Sequence, residues 1–106
     1  MVDRRFWVVD GRRAEFREVF GPDGRWPQFL WQASGYIATQ VMCESEAEGR
    51  YRVRDFWSWH RDYEVFRGRY LEDLAEFERL VVAGLTERQE FVGGYYEADE
   101  PDLGIT

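Results

Sequence analysis

The stretch YRVRDFWSWHRDYEVFRGRY, residues 51–70, decides the fold. Its first part reads as a β-strand in which Arg52 and Arg54 alternate with Tyr51, Val53 and Asp55. The strand stops at Trp57, and Ser58 is a good residue to open a helix. From Trp59 the apolar positions Tyr63, Phe66, Tyr70, Leu74, Phe77 and Val81 follow in steps of four or three. That spacing predicts one helix with a continuous stripe over about six turns. Gly68 interrupts it at a cost of ~1 kcal/mol, so a kink or break is expected there. Gly84 ends the helix.

Working upstream, residues 50–57 form the strand that returns from a hairpin. Residues 44–49 are its acidic connection and 36–43, rich in β-formers, its first arm. Before these lie a short helix over 25–33 with Pro27 in its first turn and the turn chemistry Gly21-Pro22-Asp23-Gly24. A helix over 12–20 carries Phe16, Val19 and Phe20 on one face. Residues 6–9 (Phe-Trp-Val-Val) read as a first strand ended by Asp10-Gly11. Downstream, residues 90–96 give a last strand with Gly93-Gly94 as a bulge or close approach. The acidic tail from Glu97 is expected to be loose or to lie on a partner.

The order is therefore β-α-(short α)-β-β-α-β. It predicts an α+β, ferredoxin-like domain with a four-stranded antiparallel sheet and helices on one face. A bare face carrying aromatic and aliphatic groups needs a cover. A second copy of the chain, sheet against sheet, is the simplest one, so a homodimer is expected.

The 106 residues suffice for a single domain and one core. Hydrophobic residues make up 44% and charged residues 33%, a globular rather than disordered balance. Aromatics reach 18%, more than a small core needs, so a ligand pocket or a subunit interface is expected beside the core. The net charge is −7 and all fourteen basic residues are arginine, which argues against nucleic acid or anionic membrane as partner. The RNA-recognition motif shares this strand order, but its basic-Gly-aromatic pattern is absent and there is no lysine. No apolar run approaches the ~20 residues of a membrane span. A lone cysteine, Cys43, read as a small buried hydrophobe, fits a reducing compartment, and a cytoplasmic protein is the expectation.

The chain resembles the antibiotic biosynthesis monooxygenase (ABM) superfamily of dimeric α+β barrels, closest to its uncharacterised bacterial members. The resemblance runs over residues 16–93 and rests on three segments. They are FREVFGPDGRWPQFLWQASGYIATQV (16–41), YRVRDFWSWHRDYEVFRGRY (51–70) and LTERQEFVG (85–93). The FGPDG-W turn, the GYIAT strand start and the D-x-W-S junction carry it together. The resemblance implies that two sheets close a barrel and that each subunit holds a pocket between sheet and helices. Members with known chemistry oxidise small aromatics, quinols or polyketide intermediates with molecular oxygen, usually without metal or flavin. Others cleave haem with a histidine further along this helix and an asparagine nearby, and this chain has no later histidine and no asparagine. A reaction does not transfer with the fold, because a few pocket residues decide it.

The only histidine, His60, sits in the first turn of the long helix beside Trp57, Trp59 and Tyr63. A neutral imidazole there can take a phenol proton, and the helix N-terminus favours the neutral form. Against this, His60 is off the apolar stripe, as an exposed first-turn residue would be. Trp7, Trp31, Tyr36, Trp57, Tyr63, Phe66 and Tyr70 are the expected pocket walls, each also readable as core. Arg54, with Arg52, stands where the family commonly has aliphatic residues, ready either to bind an anionic group or to pair with Asp or Glu. Asp55 reads as a strand-end hydrogen-bonding residue. One histidine and one cysteine without ligand spacing give no metal site, and no cofactor is expected. The choice lies between a cofactor-independent monooxygenase acting on a small aromatic or quinol and a non-catalytic small-molecule-binding or structural dimer.

Overall fold

A computed structural model of the chain describes residues 1–94. The elements run β1 (Val2–Val8), α1 (Arg13–Phe20), α2 (Arg25–Leu30), β2 (Tyr36–Ser45), β3 (Arg50–Trp57), α3 (His60–Arg69) and α4 (Leu71–Phe77). A π-helical turn (Glu78–Val82), a short α5 (Ala83–Leu85) and β4 (Thr86–Gly94) complete the order. The four strands form one antiparallel sheet in the order β2-β3-β1-β4, compatible with a ferredoxin-like fold. The tail expected from residue 97, and residues 95–96 of the expected last strand, lie outside the described residues.

The alternation of β3 sets the two faces of the sheet. Tyr51, Val53, Asp55 and Trp57 are buried in one row, while Arg50, Arg52, Arg54 and Phe56 are half-buried in the other. On β1 the register places Val2 opposite Asp55, Arg4 opposite Val53 and Phe6 opposite Tyr51, so these residues share the first face. There the core assembles around the aromatic chain Phe6, Phe16, Phe20 and Trp26, with neighbouring centroids 4.8–5.8 Å apart. Burying such side chains contributes roughly 1.5–3 kcal/mol each, and tilted ring pairs add to it.

Several expected boundaries shift for physical reasons. β1 starts at Val2, four residues before the expected Phe6, because the charges of Asp3, Arg4 and Arg5 are all paired across the sheet. β4 likewise starts at Thr86 rather than Glu90. Its pairing with β1 skips one residue between Gly93 and Phe91, a bulge beside the expected glycine pair. The long helix is broken two residues after Gly68. Tyr70 leaves helical geometry (φ −112°, ψ 30°), and α4 restarts with Leu74 N–H on the Tyr70 carbonyl. Ser58 does not cap α3. Its N–H instead donates to the Gly35 carbonyl at 2.7 Å, and the extended Trp59 holds the N-cap position. The β2–β3 turn closes through Gly49 in the left-handed region (φ 66°), where a side chain would be strained. Cys43 is exposed rather than buried, with its Sγ 3.2 Å from Glu46 Oε1.

Candidate functional site: a cavity between the sheet and α3–α4

The helices α3 and α4, which meet at Tyr70, and the β3–β1 part of the sheet leave a space between them. A cavity of about 270 Å³ remains there. Its apolar wall is formed by Val2, Trp26, Leu30, Trp57, Phe66 and Leu74. The exposed Leu71, Ala75 and Arg67 mark its mouth. Arg4, Asp55, Tyr63 and Glu78 bring polar groups to this surface. A small apolar volume with a few convergent polar groups is the usual form of a small-molecule site.

Each polar group is held by a named element. Asp55 follows Tyr51 and Val53 on the inward row of β3 and is fully buried. Its Oδ1 accepts the Trp26 indole N–H at 3.0 Å and the Thr39 hydroxyl at 2.6 Å. Thr39 Oγ1 lies 2.7 Å from the Tyr36 hydroxyl. Thr39 gives its single proton to the carboxylate, so Tyr36 donates to Thr39. Burial pushes the Asp55 carboxyl above the usual range, opposed by Arg4, Thr39 and Trp26. Burial also raises the Tyr63 phenol.

Arg4 comes from the inward row of β1. Its guanidinium lies over Trp26 at 4.8 Å and Phe6 at 5.1 Å from the ring centroids. Nη1 reaches Glu78 Oε1 at 3.5 Å. Nη2 stands 3.6 Å from Asp55 Oδ2, near enough for an ion pair but too far for a hydrogen bond. Among the described residues neither of two buried donors, Arg4 Nη2 and Trp57 Nε1, has a protein acceptor. Unpaired buried donors cost about 1–3 kcal/mol each, and both belong to residues on the wall of this one cavity.

Three of the expected pocket residues, Trp57, Tyr63 and Phe66, line the cavity. The others lie elsewhere. Trp7 is on the opposite face of the sheet, with the Arg88 guanidinium 4.2 Å from its ring centroid. Arg54 is also on that face, with Nε 3.4 Å from Asp3 Oδ2. Trp31 is 65% exposed, with its ring edge-on to Tyr36. Tyr36 is buried behind the wall, its ring edge-on to Trp57 at 5.6 Å between centroids and its hydroxyl on Thr39. Tyr70 packs on Phe29 and Phe66 and lines a smaller neighbouring cavity of about 70 Å³. His60 is not on the wall. Its ring lies 5.8 Å from Tyr63, and its Nε2 is 3.0 Å from Glu64 Oε2 one helical turn on.

No protein-family model, curated protein or solved structure matches the chain. Among the described residues no group of three or more His, Cys, Asp or Glu could hold a metal ion. No helix among them is long and apolar enough to cross a membrane.

The reading from sequence passed over Arg4, Trp26 and Glu78 and gave Asp55 only a strand-end role. One local feature marks Asp55: a carboxylate in phase with Tyr51, Val53 and Trp57 must be buried with them. Arg4 carries no comparable mark, since its partners Asp55 and Glu78 are distant in sequence.

Proposed function

We propose that the chain holds a small, oxygen-bearing aromatic molecule between its sheet and its helices, and oxidises it with molecular oxygen as an ABM-like protein. The observation that carries the binding half is the pair of buried donors, Arg4 Nη2 and Trp57 Nε1, on one apolar wall. Acceptor oxygens on a ligand would give these donors the partners they lack, and the rings of Trp26, Trp57 and Phe66 provide flat apolar contact. The volume suits one or two fused rings. The resemblance over residues 16–93 supports the oxidation half, with dioxygen reacting directly at an electron-rich ring.

The same reading includes a homodimer built on the open face of the sheet. That face carries Arg5, Arg50, Arg52, Arg54 and Arg88 together with Asp3, Glu44 and Glu90, and Trp7 and Phe56 lie among them. A face with rows of both signs is able to complement a second copy of itself. A cytoplasmic setting completes the reading, on the strength of the single cysteine.

Oxygen uptake with a panel of anthrones, quinols and catechols tests the reaction, alongside native mass spectrometry of the purified protein. Substrate-dependent uptake that Arg4→Met abolishes supports it. A flat trace with every compound, together with a retained ligand, supports the second reading, a binding protein without turnover. One observation favours that second reading: His60, the residue the sequence offers for proton transfer, stands off the cavity wall.

A further inference from the structure

We propose that Asp55 is the proton acceptor for an acidic hydroxyl of the ligand, and that Arg4 holds the oxyanion this creates. The inference rests on the ligand-binding reading above and adds its chemistry: the ligand class is a phenol or enol, bound as its anion. The two oxygens of Asp55 differ. Among the described residues Oδ1 is occupied by Trp26 and Thr39, while Oδ2 has only the long Arg4 contact at 3.6 Å. Asp55 lines the cavity, so Oδ2 is the oxygen left for a ligand hydroxyl.

In the step, Oδ2 takes the hydroxyl proton. The ligand O–H bond breaks, its electron pair stays on the ligand oxygen, and Asp55 becomes a neutral acid. The negative charge thus moves from Asp55 to the ligand while remaining beside the same guanidinium. Arg4 is flanked by Phe6 and Trp26, and it keeps one buried N–H free for the new anion. The other charged groups on the cavity wall are Arg67 at the mouth and Glu78, which meets the far side of Arg4. The chain's amino terminus also favours the ionised form of Asp55. Burial raises Asp55 towards the basicity of a weak acid's anion, which makes the exchange of proton easier than with an exposed carboxylate.

The test uses 4-nitrophenol, whose neutral and anionic forms absorb at different wavelengths, with the whole chain. Equilibrium dialysis measures binding, and the absorption spectrum of the bound fraction reports its protonation. The pH is set about one unit below the probe's own pKa, where roughly nine-tenths of the free probe is neutral. The expected result is a bound probe that is mainly phenolate in the wild type. Asp55→Asn has the neutral side chain of the proposed product but cannot take the proton, so its phenolate must come from solution. Its affinity should fall about tenfold per pH unit below the probe's pKa, where the wild-type affinity is flat. Arg4→Met is expected to lose the phenolate band. A wild-type complex with a purely neutral spectrum overturns the inference while leaving the binding reading intact, as does a wild-type affinity that falls with pH as steeply as that of Asp55→Asn. Absence of binding overturns both. If Asp55→Asn does not fold by circular dichroism, the wild-type pH titration decides, because its affinity must stay flat over the unit below the probe's pKa while the bound spectrum stays phenolate.

Discussion

Arg52 on β3 holds Asp3 on β1 with two hydrogen bonds, Nε to Oδ1 at 2.8 Å and Nη2 to Oδ2, and Asp3 keeps no exposed surface. Burial alone raises the Asp3 carboxyl, but Arg52, with Arg54 beside it, outweighs burial and lowers it. Removing the cation leaves a buried charge with only the longer Arg54 contact. Arg52→Met is expected to cost about 2–4 kcal/mol. The double variant Asp3→Asn/Arg52→Met should recover much of that loss. Urea unfolding of the two variants checks it, and equal losses in both would contradict it.

Glu44 extends the same network. It accepts from Arg5 Nε and Arg52 Nη1, each at 2.8 Å, and from Arg50 Nε at 3.3 Å. The Arg5 hydrogen bond, the largest influence, works with Arg52 to lower the carboxyl from 4.5 to about 2. A depressed carboxyl adds stability above its unfolded pKa and loses it as pH falls towards the folded value. Wild-type stability should therefore fall from about pH 4.5 towards pH 2. Glu44→Gln should flatten that slope, and unfolding curves across this window provide the check.

Two glycines give opposite expectations. A Cβ on Gly24 would lie 2.2 Å from the carbonyl oxygens of Glu18 and Val19, which are backbone and cannot move aside. Gly24→Ala should cost at least ~3 kcal/mol. Gly68 is exposed within α3 and a Cβ there meets nothing within 4 Å. Gly68→Ala should stabilise by about 0.5–1 kcal/mol. Thermal melts of the two variants should move in opposite directions.

The homodimer reading predicts a solution mass of twice the chain by light scattering. Arg88→Glu, at an exposed position over Trp7 on the open face, should drive the protein to monomer without unfolding it. A wild-type monomer across the micromolar range would contradict the reading.

How much of this was legible in the sequence follows from the range of each interaction. The inward row of β3 and the turn at Trp57-Ser58 are written in neighbouring residues, and so is the break near Gly68. The first residues of β1 and β4 were not, because Val2-Asp3-Arg4-Arg5 and Thr86-Glu87-Arg88-Gln89 have weak β-propensity. They become strand through partners far away, such as Arg5 with Glu44 and Arg52 with Asp3. The site divided in the same way. Trp57, Tyr63 and Phe66 lie on the strand–helix junction and its stripe, and they were found together. Arg4 enters the cavity only through sheet register, and Trp7 and Arg54 leave it for the same reason, since one step along a strand changes the face.

The most direct test of the central claim is the indole N–H region of a nitrogen–proton correlation spectrum, recorded while a small phenol is titrated into the protein. The five tryptophans give separate reporters, two on the cavity wall and three away from it. The account predicts a saturable shift of Trp57 Nε1–H as it gains an acceptor, with Trp26 shifting as well because its acceptor, Asp55, meets the ligand. Trp7, Trp31 and Trp59 should stay in place. Shifts confined to the exposed Trp31 and Trp59, or none at all, would contradict it.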